Sequence, residues 1–234
     1  CKIDKEENLL IKRATKDIDI IMIVEALSTD FVSRICELVK AAGYEEKNKG
    51  ERTEEGHKHE YYRFMKPKNS DFPFQIELFS RNIGLINFPT DAHISPIPMD
   101  EDLSSLSAIL MDDDYYRFTI EHSRTEDGIH IANVESLICL KCRAFLEMTE
   151  RKKNGESVDS KHIAKHKKDV FRLAGMLAPS DKYDVPATLR ADIENFCKAV
   201  EMDLPNKDFL SAAGLNNISG MELLSQLKQT FLSE

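Results

Sequence analysis

No apolar run in these 234 residues approaches the ~20 consecutive residues that a bilayer-spanning helix needs. Nor does a basic stretch lead into a short apolar run and a small-residue cleavage site, as an export signal would. These two absences point to a cytoplasmic protein with no membrane partner. Cysteine is sparse and odd in number: Cys1, Cys36, Cys139, Cys142 and Cys197 suit no disulfide framework, which fits a reducing compartment. Cys139 and Cys142 form a CxxC without the second pair that a zinc site requires. On a helix the two would share one face, and they read as small apolar core residues. There is no P-loop, no Gly-x-Ser-x-Gly turn, no internal repeat and no low-complexity segment. The net charge of −9 means that the overall field does not draw the chain to nucleic acid, though a local basic patch still can.

What is present is ordinary globular material: 41% apolar and 31% charged residues, in a chain long enough for one large domain or two small ones. Residues 17–24, DIDIIMIV, are a β-branched apolar run and predict a buried strand. Phe31, Val32, Ile35, Leu38, Val39 and Ala42 form a helical stripe, and Gly43 is its expected stop. The polar segment 47–58 predicts an exposed loop. Strands at about 59–65 and 74–81, joined by turn residues 66–71, predict a hairpin. Pro89, Pro96 and Pro98 break up the stretch after the hairpin, and 106–111 and 115–124 are further strand candidates. Thr125-Glu126-Asp127-Gly128 predicts a tight turn into Ile129, His130 and Ile131.

After Asn133, an expected N-cap, the period becomes helical. One helix precedes a polar loop at 154–159, and a second runs over about 160–177. The remainder is helical with breaks at Pro205 and Gly214. The expected fold is α+β: a mixed-sheet core over 1–132, followed by a helical domain over 133–234. The chain opens on Cys1 rather than methionine, so the native N-terminus is expected to extend upstream.

The informative pattern is acidic. Asp17 and Asp19 stand two apart on an apolar strand, so their side chains are expected on one face. Carboxylates held together there repel one another and are costly to bury, unless a hard divalent cation takes oxygen ligands from both. The plainer alternative is a strand that begins in solvent. Glu77 is a third acid inside an apolar strand, within FPFQIELFSR. If that strand neighbours the first, three carboxylates converge and can hold Mg²⁺ for phosphoryl or nucleotidyl transfer. Glu60 competes for the place, in more polar company. The plain alternative for Glu77 is an ion pair with Arg63 or Arg81 across the hairpin.

Arg13-Ala14-Thr15-Lys16-Asp17-Ile18-Asp19 before an apolar strand resembles the R-x-T-x-D-x-D signature of the DNA polymerase β-like nucleotidyltransferase superfamily. Within it, the likeness is to the AbiE-type (AbiEii) toxin nucleotidyltransferases. It continues in ESLICLKCRAF, an acid followed by an apolar helix that carries a lysine, and in KHIAKHKKDVFRL, similar to a basic-basic-Asp helix motif. The resemblance implies a nucleotidyltransferase core with Asp17, Asp19 and Glu77 as catalytic, Mg²⁺-ligating acids. It implies that Arg13, Thr15, Lys16 and Lys141 contact a nucleoside triphosphate, and that Asp169 acts near the acceptor hydroxyl. It further implies an RNA, protein or small-molecule acceptor, a toxin or defence setting, and an antitoxin partner.

The superfamily's glycine turn upstream of the paired aspartates is not present in residues 1–16, and Arg172 stands where related sequences often have a second acid. These departures motivate the alternative reading, a catalytically degenerate protein of the same fold that binds nucleotide or a partner without turnover. Without the resemblance, Lys141 reads as a solvated helix lysine and Asp169 as half of a surface ion pair with Lys165 or Arg172. His162 and His166 share a helix face, but the lysines around them oppose a metal and suit phosphate or RNA. Tyr61, Tyr62, Tyr115 and Tyr116 read as strand residues rather than base-stacking platforms.

Overall fold

The structure is a computed structural model, which describes residues 17–22, 29–46, 63–81, 94–96, 107–127 and 129–233. The described residues fall into two compact units that divide between Tyr116 and Arg117. The expected change of character at 132/133 lies 16 residues further on, so the second hairpin belongs with the helices. The class is mixed, with helices and small sheets, as expected. No described helix is long and apolar enough to cross a membrane.

The first unit is organised by strand β4 (Gln75–Arg81). The β-branched start of the DIDII segment gives β1 (Asp17–Ile21), which pairs parallel with β4 from Asp17↔Gln75 to Ile21↔Phe79. β3 (Arg63–Met65) pairs antiparallel with β4, the hairpin expected from the turn chemistry between them. β6 (Ser107–Met111) joins β4 in parallel, β5 (Ile94–Pro96) flanks β6, and the short β2 (Glu45–Glu46) flanks β3. Glu77 has register partners on two strands, Asp19 and Arg63, so β1 and β3 lie on opposite edges of β4.

Helix α1 (Thr29–Ala42) ends as a Schellman motif. Gly43 takes a φ of +65°, its N–H reaches the Lys40 carbonyl, and the Tyr44 N–H reaches that of Val39. Val39, Ala42 and Tyr44 are buried with Met22, Phe64, Ile76 and Leu78, so one face of the sheet is the core of this unit. Leu38, expected in the helix stripe, is instead exposed.

Most of the strand expected over 115–124 is a helix, α2 (Asp113–Glu121), and only its last residues, Ser123 and Arg124, are in a strand. The Asp112 carboxylate accepts the Asp114 N–H at 2.9 Å, a local N-terminal cap, and Asp113 and Asp114 suit the positive end of the helix dipole. Tyr115, Phe118 and Thr119 are buried at helical spacing. Tyr115 and Tyr116 are thus helical core residues rather than strand residues.

In the second unit, β7 (Ser123–Glu126) and β8 (Ile129–Ala132) form the expected tight hairpin, closed by Glu126↔Ile129 with Asp127 at a φ of 50°. Helices α3 (Val134–Lys153), α4 (Ser160–Ala174), α5 (Ala187–Val200), α6 (Lys207–Ala212) and α7 (Gly220–Phe231) complete it. Asn133 is the N-cap residue of α3, but its amide donates to Glu135 (3.4 Å) rather than capping the helix. Asp159 does cap α4, accepting from the Lys161 N–H. Helix α3 packs on α4 and α5, and α7 closes on both α4 and α5. Phe145, Phe171 and Phe196 meet at the centre, with ring centroids 5.1 and 6.2 Å apart.

Candidate functional site

Alternation along β4 sends Ile76 and Leu78 into the core and leaves Glu77 on the opposite face. In β1 the same alternation places Asp19 on that face, and in β3 it places Arg63 there. Asp19, Glu77 and Arg63 therefore form one row across three strands, which are spaced by about 4.8 Å each. Asp19 is exposed, while the Glu77 side chain is only 13% exposed. Arg63 donates to the Glu77 carboxylate through Nε and pairs with it through a terminal nitrogen.

Two members of the expected carboxylate set, Asp19 and Glu77, are thus neighbours, and the ion pair weighed as the alternative for Glu77 is formed as well, with Arg63. Asp17 stands opposite Gln75, two residues before Asp19. The side chain of Asp17 lies outside the described part, as do Arg13, Thr15, Lys16 and Glu60. Among the described residues, no group of three or more His, Cys, Asp or Glu side chains comes together to hold a metal.

Lys141 and Asp169 belong to the helical unit. Lys141 is half-buried on α3, and Asp169 on α4 stands 3.7 Å from Arg172, as the plain reading of it anticipates. On the same helix, His162 is exposed and His166 is half-buried. The ring of His166 is held down at about 4 by desolvation first, and then by the positive charge of Lys141, Lys165 and His162.

Cys139 and Cys142 are buried helix residues, as expected. Burial pushes the Cys197 thiol up to about 11, and pushes those of Cys139 and Cys142 up as well, so none supplies a thiolate at neutral pH.

One polar cluster escapes a reading of the sequence. The buried Glu135 lies 3.1 Å from His122 Nδ1, and the His122 carbonyl accepts from the Ser136 hydroxyl and the Asn133 N–H. It ties the end of α2 to the start of α3. The only signal is Glu135 at the buried head of a helix, which periodicity alone does not pair with a residue thirteen positions earlier.

Comparison with protein-family models, with curated proteins and with solved structures returned no match.

Proposed function

We propose that the chain is a Mg²⁺-dependent nucleotidyltransferase, which moves a nucleoside monophosphate from a nucleoside triphosphate to a hydroxyl acceptor and releases pyrophosphate. The observation that carries this reading is the register of β1 on β4, which sets Asp19 beside Glu77 with Asp17 two residues upstream. The donor set fits a hard cation. Neighbouring carboxylates supply the oxygen ligands that such a cation takes.

Mg²⁺, when bound, would neutralise phosphate charge as the acceptor oxygen bonds to the α-phosphorus and the bond to the leaving pyrophosphate breaks. Asp17, Asp19 and Glu77 would hold it. Following the AbiE-type resemblance, Arg13, Thr15, Lys16 and Lys141 would bind the triphosphate. Asp169 would accept or orient the acceptor's hydroxyl proton. RNA, a protein or a small molecule is the acceptor in this reading, in a toxin setting with an antitoxin partner.

A specific observation favours a second reading, a nucleotide-binding protein of the same fold without turnover. Arg63 compensates Glu77 in place of a metal. The two separate in a transfer assay that uses each α-labelled nucleoside triphosphate with Mg²⁺ and transfer RNA, total protein or aminoglycoside as acceptor. Label should move to one acceptor class and stop moving in the Asp17→Asn/Asp19→Asn variant. Transfer retained by that variant would overturn the mechanism, and binding without transfer would establish the second reading.

A further inference from the structure

Helices α3 and α4 pack along each other, and positions 162, 165, 166 and 169 fall on one face of α4. Lys141 of α3 acts on His166 together with Lys165 and His162. Of the other basic residues of α4, Lys161 is exposed in its first turn and three are matched. Lys167 pairs with Asp203, Arg172 stands by Asp169, and Lys168 lies 5.4 Å from the centre of the Phe209 ring. Lys141 and Lys165 have no such match. Neither makes a hydrogen bond or an ion pair among the described residues, and both are half-buried. His166 Nδ1 is shut off from solvent and has no hydrogen-bond partner among the described residues. Asp169 is the acid on this face and stands 3.7 Å from Arg172, and the chain carries 41 acidic residues, so lysines left without an ion pair here are not forced by composition. A tetrahedral oxyanion supplies what the cluster lacks, negative charge for the lysines.

We infer that Lys141, His162, Lys165 and His166 form a site for a phosphate group of a nucleotide's polyphosphate chain, and that filling it protonates His166. The choice of a nucleotide as the source of the phosphate rests on the nucleotidyltransferase reading. The anion site itself rests on the helical unit alone. The free ring is neutral at pH 7, because burial and the surrounding cations disfavour its charge. A dianion adds negative charge beside it, so the ring's affinity for a proton rises. Binding then takes up a proton at any pH between about 4 and the raised value. Affinity for the anion should therefore rise as the pH falls through that window.

Sulfate is the first probe, since its own charge does not change over this range, and pyrophosphate is the second. The full chain would be titrated with each while the ring signals of His166 are followed by NMR. On saturation near pH about 5, His166 should pass from the neutral form to the imidazolium form. Lys141→Met should weaken binding by about tenfold or more, which is a typical loss for one charge-assisted contact. His166→Gln should retain binding at neutral pH and show a weaker rise on acidification. A His166 ring that stays neutral at saturation, or no binding of either anion by the wild-type chain, would overturn the proposal. The Asp17→Asn/Asp19→Asn variant separates the two claims. Anion binding and proton uptake should persist in it unchanged, so a failure of the transfer assay leaves this site standing, and a failure here leaves the carboxylate cluster standing.

Discussion

At Glu77 a single carboxylate has neighbours of opposite sign on its two flanking strands, Asp19 on β1 and Arg63 on β3. Arg63 lowers the cost of that half-buried acid and competes with any cation for it. Replacing Arg63 with methionine should therefore strengthen Mg²⁺ binding several-fold, measured by calorimetry on the folded chain. Unchanged or weaker binding would mean that Glu77 is not a ligand. The sequence offers Glu77 two arginine partners, Arg63 and Arg81, and a carboxylate cluster. Only register chooses among these, because it depends on which strands become neighbours. His166 is the second residue whose surroundings are hidden in the sequence, since Lys141 reaches it from a neighbouring helix, α3. Its ring titrates at about 4 in the folded chain, against an ordinary 6.5. The unfolded chain therefore takes up the proton first on acidification. The ring does not oppose folding above pH 6.5, but between 6.5 and about 4 it costs stability progressively. Between pH 7 and about 5, wild type should lose on the order of 1–2 kcal/mol more stability than His166→Gln, after discounting for partial exposure. Equal losses in denaturant titrations at the two pH values would contradict the burial of this ring.

At the scale of elements, features set by local chemistry are legible in the sequence. The α1 stripe stops at Gly43 because the cap needs a positive φ there, and the β7–β8 turn is signalled by Asp127 and Gly128. The loop at 154–159 and the start of α4 are marked by polar residues and by the cap at Asp159. The departure at α2 has a physical cause. Tyr115, Tyr116, Phe118, Thr119 and Ile120 all favour strands, yet the aspartates at 112–114 cap and polarise a helix, and burial at i, i+3 and i+4 rewards it. Caps of this kind have a measurable effect. Helix α7 begins with a reciprocal capping box, in which the Ser219 hydroxyl accepts from the Glu222 N–H while the Glu222 carboxylate accepts from the Ser219 N–H. Ser219→Ala should lower stability by about 1 kcal/mol in urea unfolding, and Ser219→Asp should largely restore it. A neutral Ser219→Ala would show that packing of Leu223, Leu224, Leu227 and Phe231 alone sets where α7 begins.

At the scale of the whole molecule, a mixed-sheet unit carries Asp19 and Glu77, and a helical unit carries Lys141, His166 and Asp169. The α+β class is legible, because strand-like runs precede helical periodicity along the chain. The division between the units is not, because the residues of α2 favour strands one by one and the β7–β8 hairpin looks continuous with the sheet in sequence. The carboxylates on β1 and β4 are proposed to bind a nucleoside triphosphate with Mg²⁺. The most direct test is the thermal stability of the full chain with Mg²⁺ and each nucleoside triphosphate in turn, repeated on Asp17→Asn/Asp19→Asn. A ligand that binds only the folded state raises stability by mass action. A site at these carboxylates should give a stabilisation that needs both Mg²⁺ and nucleotide and is lost in the variant. A Mg²⁺-dependent shift of equal size in the variant would contradict it, as would no shift with any nucleotide.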